Sequence, residues 1–292
     1  MRVTCVFKPR ATTEECIMSH SVCVIGLGTV GLPTAVYLQN VGCEVIGYDV
    51  NSSAIARANM YIPAVRDLKT IPQNTEVFII CVSTMFSQGK PDAKNVNEAC
   101  FKISDLFHPK LVSVESTVPI GTCRAIHNTI FDGEVNLAHV PHRYWPGDPK
   151  RFGVAQTRVA GAVNNKSLIE AKKFYRGLAI PILEVEPVEI AEMAKIAENA
   201  YRYVQISFAE ELREICERNN INFDMLREAC NSKWNIEIPE ARTGIGGTCL
   251  PKDIQYLVAA AQNKMFEPDL LISAIHADRK YVEHLQTPLI SR

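Results

Sequence analysis

The segment Gly244-Ile245-Gly246-Gly247-Thr248-Cys249-Leu250-Pro251-Lys252-Asp253 sets one thiol where a glycine-rich turn runs into a helix. Gly246 and Gly247 free the backbone from side-chain clashes and let a substrate come close. Pro251 suits the first position of the following helix, which puts Cys249 just before the positive end of its dipole. With Lys252 near, that setting favours thiolate over thiol, and the thiolate is the nucleophile of covalent catalysis. The rest of the chain must supply the reaction and the elements that aim this thiol.

The 292 residues are 47% hydrophobic, enough for a substantial core and two domains. A net charge of −1 gives no attraction to nucleic acid or to an acidic membrane surface, so neither is an expected partner. Ten cysteines are scattered singly, with no Cys-x-x-Cys pair and no Cys/His cluster at ligand spacing. No metal site is therefore expected, and free thiols point to a reducing, cytoplasmic location. Residues 1–20 carry two arginines, one lysine and two glutamates without a long apolar run, and read as an N-terminal extension rather than a secretory leader. No stretch approaches the length of a membrane span.

The strand Val22-Cys23-Val24-Ile25 runs directly into Gly26-Leu27-Gly28-Thr29-Val30-Gly31, a helical stretch over 29–40, and a second strand, Glu44–Asp49. In that strand-turn-helix setting Gly26 makes the tight turn, Gly28 admits a pyrophosphate, and Gly31 lets helix and strand pack. The helix start offers N–H groups to the phosphates. Asp49 closes the second strand, where a carboxylate bonds ribose hydroxyls and repels the extra phosphate of NADP; NAD is the expected cofactor. Further strands are expected at Val77–Val82, Leu111–Glu115 and Val135–His139, with helices at Lys94–Phe107 and Ile120–Ile130. This alternation predicts an α/β, Rossmann-like, doubly wound parallel sheet with its ligand at the strand ends. Cys81-Val82-Ser83-Thr84 and Glu115-Ser116-Thr117-Val118-Pro119 are two such ends.

A strand-helix-strand group at about 157–185 completes this half. Pro187 and Glu189 then open a helix whose apolar spacing continues to Asn219. About thirty residues of helix span about 45 Å, more than one small domain needs. This helix is expected to be the spine of a mostly α-helical second domain and a homodimer contact. Lys195 and Asn199 share one of its faces. Further helices are expected at 222–231, 251–264 and 268–285. The expected divisions are 1–20, 21–186 and 187–292.

Together the segments Val24–Pro33, Cys81–Thr84, Glu115–Thr122, Glu192–Lys195 through Tyr201, and the cysteine loop resemble the UDP-glucose/GDP-mannose dehydrogenase family, in the family's order. The resemblance covers about residues 21–285. It implies two successive NAD-dependent oxidations that turn a nucleotide sugar's primary alcohol into a carboxylate. Cys249 would capture the aldehyde as a thiohemiacetal, and the second oxidation would give a thioester that water releases. Lys195 matches the family's active-site lysine, Asn199 its partner one turn on, Asp253 the carboxylate that assists water, and Thr117 a hydroxyl that holds a water. Cofactor contacts are expected from Gly26, Gly28, Thr29, Val30, Gly31, Asp49, Val82, Ser83, Thr84, Thr117 and Lys252.

Three features depart from the family pattern. His142 follows Pro141 where the family usually has a glutamate; it can serve as a base, bind substrate, or fill space. The connection from Asp49 to Val77 is short. The chain ends at Arg292, just past the helix that normally leads into a further α/β domain, so a short form is expected. A symmetry partner or a second polypeptide is then expected to complete the substrate site. Two other readings stay open: a two-domain β-hydroxyacid-type dehydrogenase, which has no need of Cys249, and a non-catalytic NAD-binding subunit.

Overall fold

The computed structural model describes residues 20–286; the expected extension falls almost wholly outside the described residues. The chain begins β1 (Ser21–Ile25), α1 (Gly31–Asn40), β2 (Glu44–Tyr48), α2 (Ser52–Ala58), β3 (Ala64–Val65) and β4 (Val77–Ile80). A hairpin of β5 (Met85–Ser87) and β6 (Lys90–Asp92) precedes α3 (Lys94–Leu106) and β7 (Leu111–Val114). Then come α4 (Thr122–Thr129), β8 (Leu137–His139), β9 (Arg158–Ala162), α5 (Asn165–Gly177) and β10 (Ile182–Glu184). The remainder is helical: α6 (Val188–Arg218), α7 (Phe223–Asn231), α8 (Cys249–Gln262) and α9 (Asp269–Gln286).

One eight-stranded sheet runs in the order β10-β9-β8-β7-β4-β1-β2-β3. Its strands carry apolar residues on both faces, as a sheet covered by helices on each side requires. Val22 and Val24 join one core cluster with Val77, Ile79 and Leu111, while Cys23 and Ile25 join the other with Phe78, Ile80 and Val112. Each fully buried side chain of this size contributes about 1.5–3 kcal/mol. β1 lies between β2 and β4, so successive connections leave it in opposite directions and open a crevice at the strand ends.

The expected parallel, doubly wound sheet is present, with one strand pair reversed. β9 runs antiparallel to β8, pairing Ala138 with Ala162 and His139 with Gly161. Residues 140–157 form no helix to carry the chain back across the sheet, so it returns in the opposite direction.

Beneath the crevice lies a buried polar cluster. Glu115, just past β7, faces Arg158 Nη1 at 2.9 Å, His142 Nε2 and the Tyr175 hydroxyl. Burial alone would raise the Glu115 pKa, but Arg158 and His142 more than offset it and hold it near about 2. A second buried carboxylate, Glu192 of α6, accepts the N–H groups of Gly121 (2.5 Å) and Cys123 (2.7 Å). It caps α4, whose own cap residue, Gly121, has no side chain to do so.

Removing one partner of a buried pair strands the other. Arg158→Ala should cost about 3–5 kcal/mol, read as a lower urea midpoint at neutral pH. Because the Glu115 pKa is depressed, this contribution is full above about pH 5 and fades as acid takes the pH toward about 2. A midpoint equal to the parent's would show that Glu115 carries no charge.

Candidate active site

The glycine turn is built against the end of β4. A Cβ on Gly31 would lie 1.8 Å from the Gly26 carbonyl oxygen, and Gly26 itself has φ +91 with its own Cβ position 2.7 Å from Cys81 O. A Cβ on Gly28 meets nothing within 4 Å. The turn is tied down by Gly26 N–H to Tyr48 O (2.8 Å) and by Leu27 N–H to Asp49 Oδ2 (2.7 Å). Asp49 Oδ1 also accepts Asn51 N–H at 2.8 Å. Each Asp49 oxygen thus keeps further acceptor capacity for a ribose hydroxyl.

A cleft of 270 Å³ opens there, lined by Gly26, Gly28, Asp49, Val82 and Ser83 of the expected set. Tyr48, Asn95, Glu98 and Lys102 also line it. Sequence reading missed the α3 contributors because their spacing there is that of any amphipathic helix. α1 starts at Gly31, and its cap residue Val30 makes no side-chain capping bond. An uncapped helix start, open space at Gly28 and an acidic residue at the end of β2 fit the diphosphate and ribose of a dinucleotide.

The cysteine loop is held from behind by three side chains. Arg213 of α6 donates to Ala241 O (2.9 Å), Tyr281 of α9 donates to Arg242 O (2.8 Å), and Asp278 Oδ1 accepts Ile245 N–H (2.8 Å). Positive φ falls at Gly244 (+93) and Gly247 (+80) rather than at Gly246. Helix α8 begins at Cys249 itself, so the thiol sits in the first helical turn and Pro251 two residues further in, not at the helix's first position. Among the described cysteines Cys249 is the exposed one.

α6 and α8 bring Lys195, Asn199, Cys249 and Asp253 together. Asn199 Nδ2 donates to Asp253 Oδ2 at 2.5 Å. Burial lowers the Lys195 pKa, opposed by the charges of Asp253, Glu198 and Cys249. Lys195 thus lies within electrostatic reach of Asp253, Glu198 and Cys249. The Lys252 ammonium is engaged by Asp253 Oδ1 (2.6 Å), Thr84 Oγ1 (3.2 Å) and the Tyr256 ring face (4.1 Å). Thr84 in turn donates to Thr117 O at 2.7 Å. These bonds join the cysteine helix to both strand-end loops, while the Tyr256 hydroxyl holds the β5–β6 hairpin through Met85 O at 2.7 Å. Thr29 and Val30 sit in the glycine turn just ahead of α1.

His142 is the clearest departure from expectation. It is 5% exposed, with Nε2 facing Glu115 and Thr34 Oγ1 (2.9 Å) and Nδ1 buried without a partner. Burial and then Arg158 lower its pKa below the ordinary imidazole value, opposed by Glu115. A base must reach substrate, and this imidazole is turned into the protein interior. The neighbouring Arg143 is paired with Glu198 and donates to Thr157 O at 3.0 Å.

Residues 20–67 and 57–179 match the NAD binding domain of the UDP-glucose/GDP-mannose dehydrogenase family, and residues 189–280 match its central domain. The chain is 32% identical over 265 residues to a UDP-N-acetyl-D-mannosamine dehydrogenase of Methanocaldococcus jannaschii, covering 83% of this chain and 62% of that protein. It is 30% identical over 275 residues to an NDP-N-acetyl-D-galactosaminuronic acid dehydrogenase of Ralstonia nicotianae, covering 83% and 65%. The solved UDP-D-ManNAc dehydrogenase from Pyrococcus horikoshii superposes with a TM-score of 0.81 at 27% identity, over 89% of this chain and 68% of that one. The chain thus spans somewhat less than two thirds of the length of these curated relatives.

Gly28→Ala separates ligand from fold. Its methyl group has room in the protein but fills the phosphate cradle, so NAD affinity should fall roughly tenfold or more, about 1.4 kcal/mol, with an unchanged melting temperature. Titration calorimetry and thermal unfolding check the two halves of this expectation.

Proposed function

Because the chain belongs to the UDP-glucose/GDP-mannose dehydrogenase family, we propose that it oxidises the primary alcohol of a nucleotide sugar to the carboxylate, with NAD as cofactor and Cys249 as covalent nucleophile. The observation that carries this reading is the convergence of an exposed thiol at a helix start with a buried lysine and an Asn199–Asp253 pair. A single hydride transfer needs no such thiol, which sets the hydroxyacid alternative aside.

NAD, when bound, accepts the hydride that leaves the substrate carbon at each oxidation. The residues handle everything else. Lys195, with its pKa lowered by burial, takes the proton of the substrate hydroxyl and offsets negative charge on that oxygen. The Cys249 thiolate adds to the aldehyde carbon, forming a C–S bond while the carbonyl oxygen takes up a proton to give the thiohemiacetal. Removal of the carbon-bound hydrogen as hydride, with Lys195 taking the hydroxyl proton, leaves the thioester. Asp253, fixed by Asn199, orients the water that attacks it; the C–S bond breaks, the thiol is restored and the acid departs. Thr117, joined through its carbonyl to Thr84, lies on the strand-end loop that faces this chemistry.

In this reading the chain divides at about residue 186 into a cofactor domain and a helical domain. The 187–219 helix is the contact of a homodimer. Met193, Tyr201, Phe208 and Ile215 are exposed along α6 at spacings of eight, seven and seven residues, so they form one stripe.

An NADH assay over a panel of UDP- and GDP-sugars tests the activity. Two NADH per sugar consumed are expected. Cys249→Ala should abolish acid formation, a loss of at least about a thousandfold, while NAD binding persists. One NADH per substrate with Cys249→Ala fully active would sink the covalent route. The double change Phe208→Glu, Ile215→Glu should shift the sedimentation coefficient to that of a monomer; an unchanged oligomer would move the interface elsewhere.

A further inference from the structure

Behind the cysteine loop, Glu210 of α6 is completely buried, and neither of its carboxyl oxygens meets an N–H or O–H donor. The group it faces is a second carboxyl, that of Asp278 on α9, itself 9% exposed. Asp278 is well supplied: Oδ1 accepts Ile245 N–H at 2.8 Å, and Oδ2 accepts the Tyr203 hydroxyl at 2.6 Å. On this side of α6 an apolar cluster packs Ala209 and Tyr281 with Leu212, Phe223, Ile238 and Ala241.

We infer that Glu210 and Asp278 share one proton, and that this pair is the positioning group of the cysteine loop, acting through the bond from Ile245 N–H to Asp278 Oδ1. Two facing carboxylates cannot both ionise in a buried site. Asp278 holds the charge because it receives two donors, and Glu210 keeps the proton and donates it toward Asp278. Burial, then the Asp278 charge, push the Glu210 pKa up to about 8, in agreement with that division.

The other ionisable groups nearby do not relieve the pair. Arg213 on α6 is committed to Ala241 O and Glu217, and Tyr281 on α9 donates to Arg242 O. Arg279 on α9 acts on Tyr203 and lowers its pKa, against the larger effect of that phenol's burial. Glu217 acts on Tyr281. Among the described residues Asp278 is the charged group that bears on Glu210.

The sign of the pH effect follows. A carboxyl whose pKa is raised in the closed state binds more proton there than in an opened state. Closure is strongest below the ordinary carboxylate range, weakens as pH rises toward about 8, and levels off beyond it. The loop that presents Cys249 is thus fastened by a proton. The functional meaning rests on the reading of Cys249 as nucleophile; the test does not.

Hydrogen–deuterium exchange of the Ile245 amide, corrected for intrinsic rate, reads the fastening directly and needs no substrate. In the full chain, protection should fall roughly tenfold or more between about pH 6 and about pH 8. Glu210→Gln keeps the shape and can donate its amide N–H to Asp278, so it should retain protection at pH 6 and lose the pH dependence. Asp278→Asn can still accept from Ile245 and can donate to Glu210, and should flatten the profile too. A wild-type profile without slope, or the same slope in Glu210→Gln, overturns the inference. So does failure of both conservative variants to fold, since a shared proton is what they mimic.

Discussion

The helical half depends on one rigid rod. α6 satisfies its own backbone hydrogen bonds over 31 residues, about 46 Å, and so can carry polar side chains into widely separated places. Its first turns deliver Glu192 to the start of α4, and its middle presents Lys195 and Asn199 to the cysteine helix. Its last turns send Glu210 and Arg213 to the underside of the cysteine loop. A kink anywhere along this helix would move these groups independently. Their register is preserved because the helix bends no faster than its packing against α8 and α9 allows.

Two buried carboxylates show how different settings divide the labour of charge. Glu115 is met by a guanidinium, an imidazole and a phenol, and remains ionised in the core of the sheet. Glu210 is met by none of these and gives up its charge instead. The first arrangement ties β7, β9, α1 and α5 into one layer under the cofactor crevice. The second sits behind the cysteine loop, beside the bonds that Arg213 and Tyr281 make to it.

Much of this was legible from residue order. The glycine turn, the strand ends, the long helix and the cysteine loop each announce themselves through local chemistry. The reversal at β9 did not, because strand direction depends on what the preceding loop lacks. Nor did the start of α8: Pro251 is compatible with a first helical turn but does not mark its first residue. His142 could be a base, a substrate contact or a space filler by type and position, because whether an imidazole faces solvent or core is decided by Arg158 and Glu115, distant in sequence. The cap that Glu192 gives to α4 is equally a product of tertiary packing, invisible in either segment alone.

The glycine turn carries a consequence for descent. Gly26 and Gly31 are fixed by collisions inside the protein, with Cys81 and with each other, whether or not a ligand is present. Gly28 faces open space. A lineage that abandoned the cofactor would still be held to the outer two glycines by folding, and only the middle one would be free to drift. Of the three, the middle glycine alone testifies to a ligand, so a relative that keeps the outer pair and replaces the centre has kept the architecture and surrendered the chemistry.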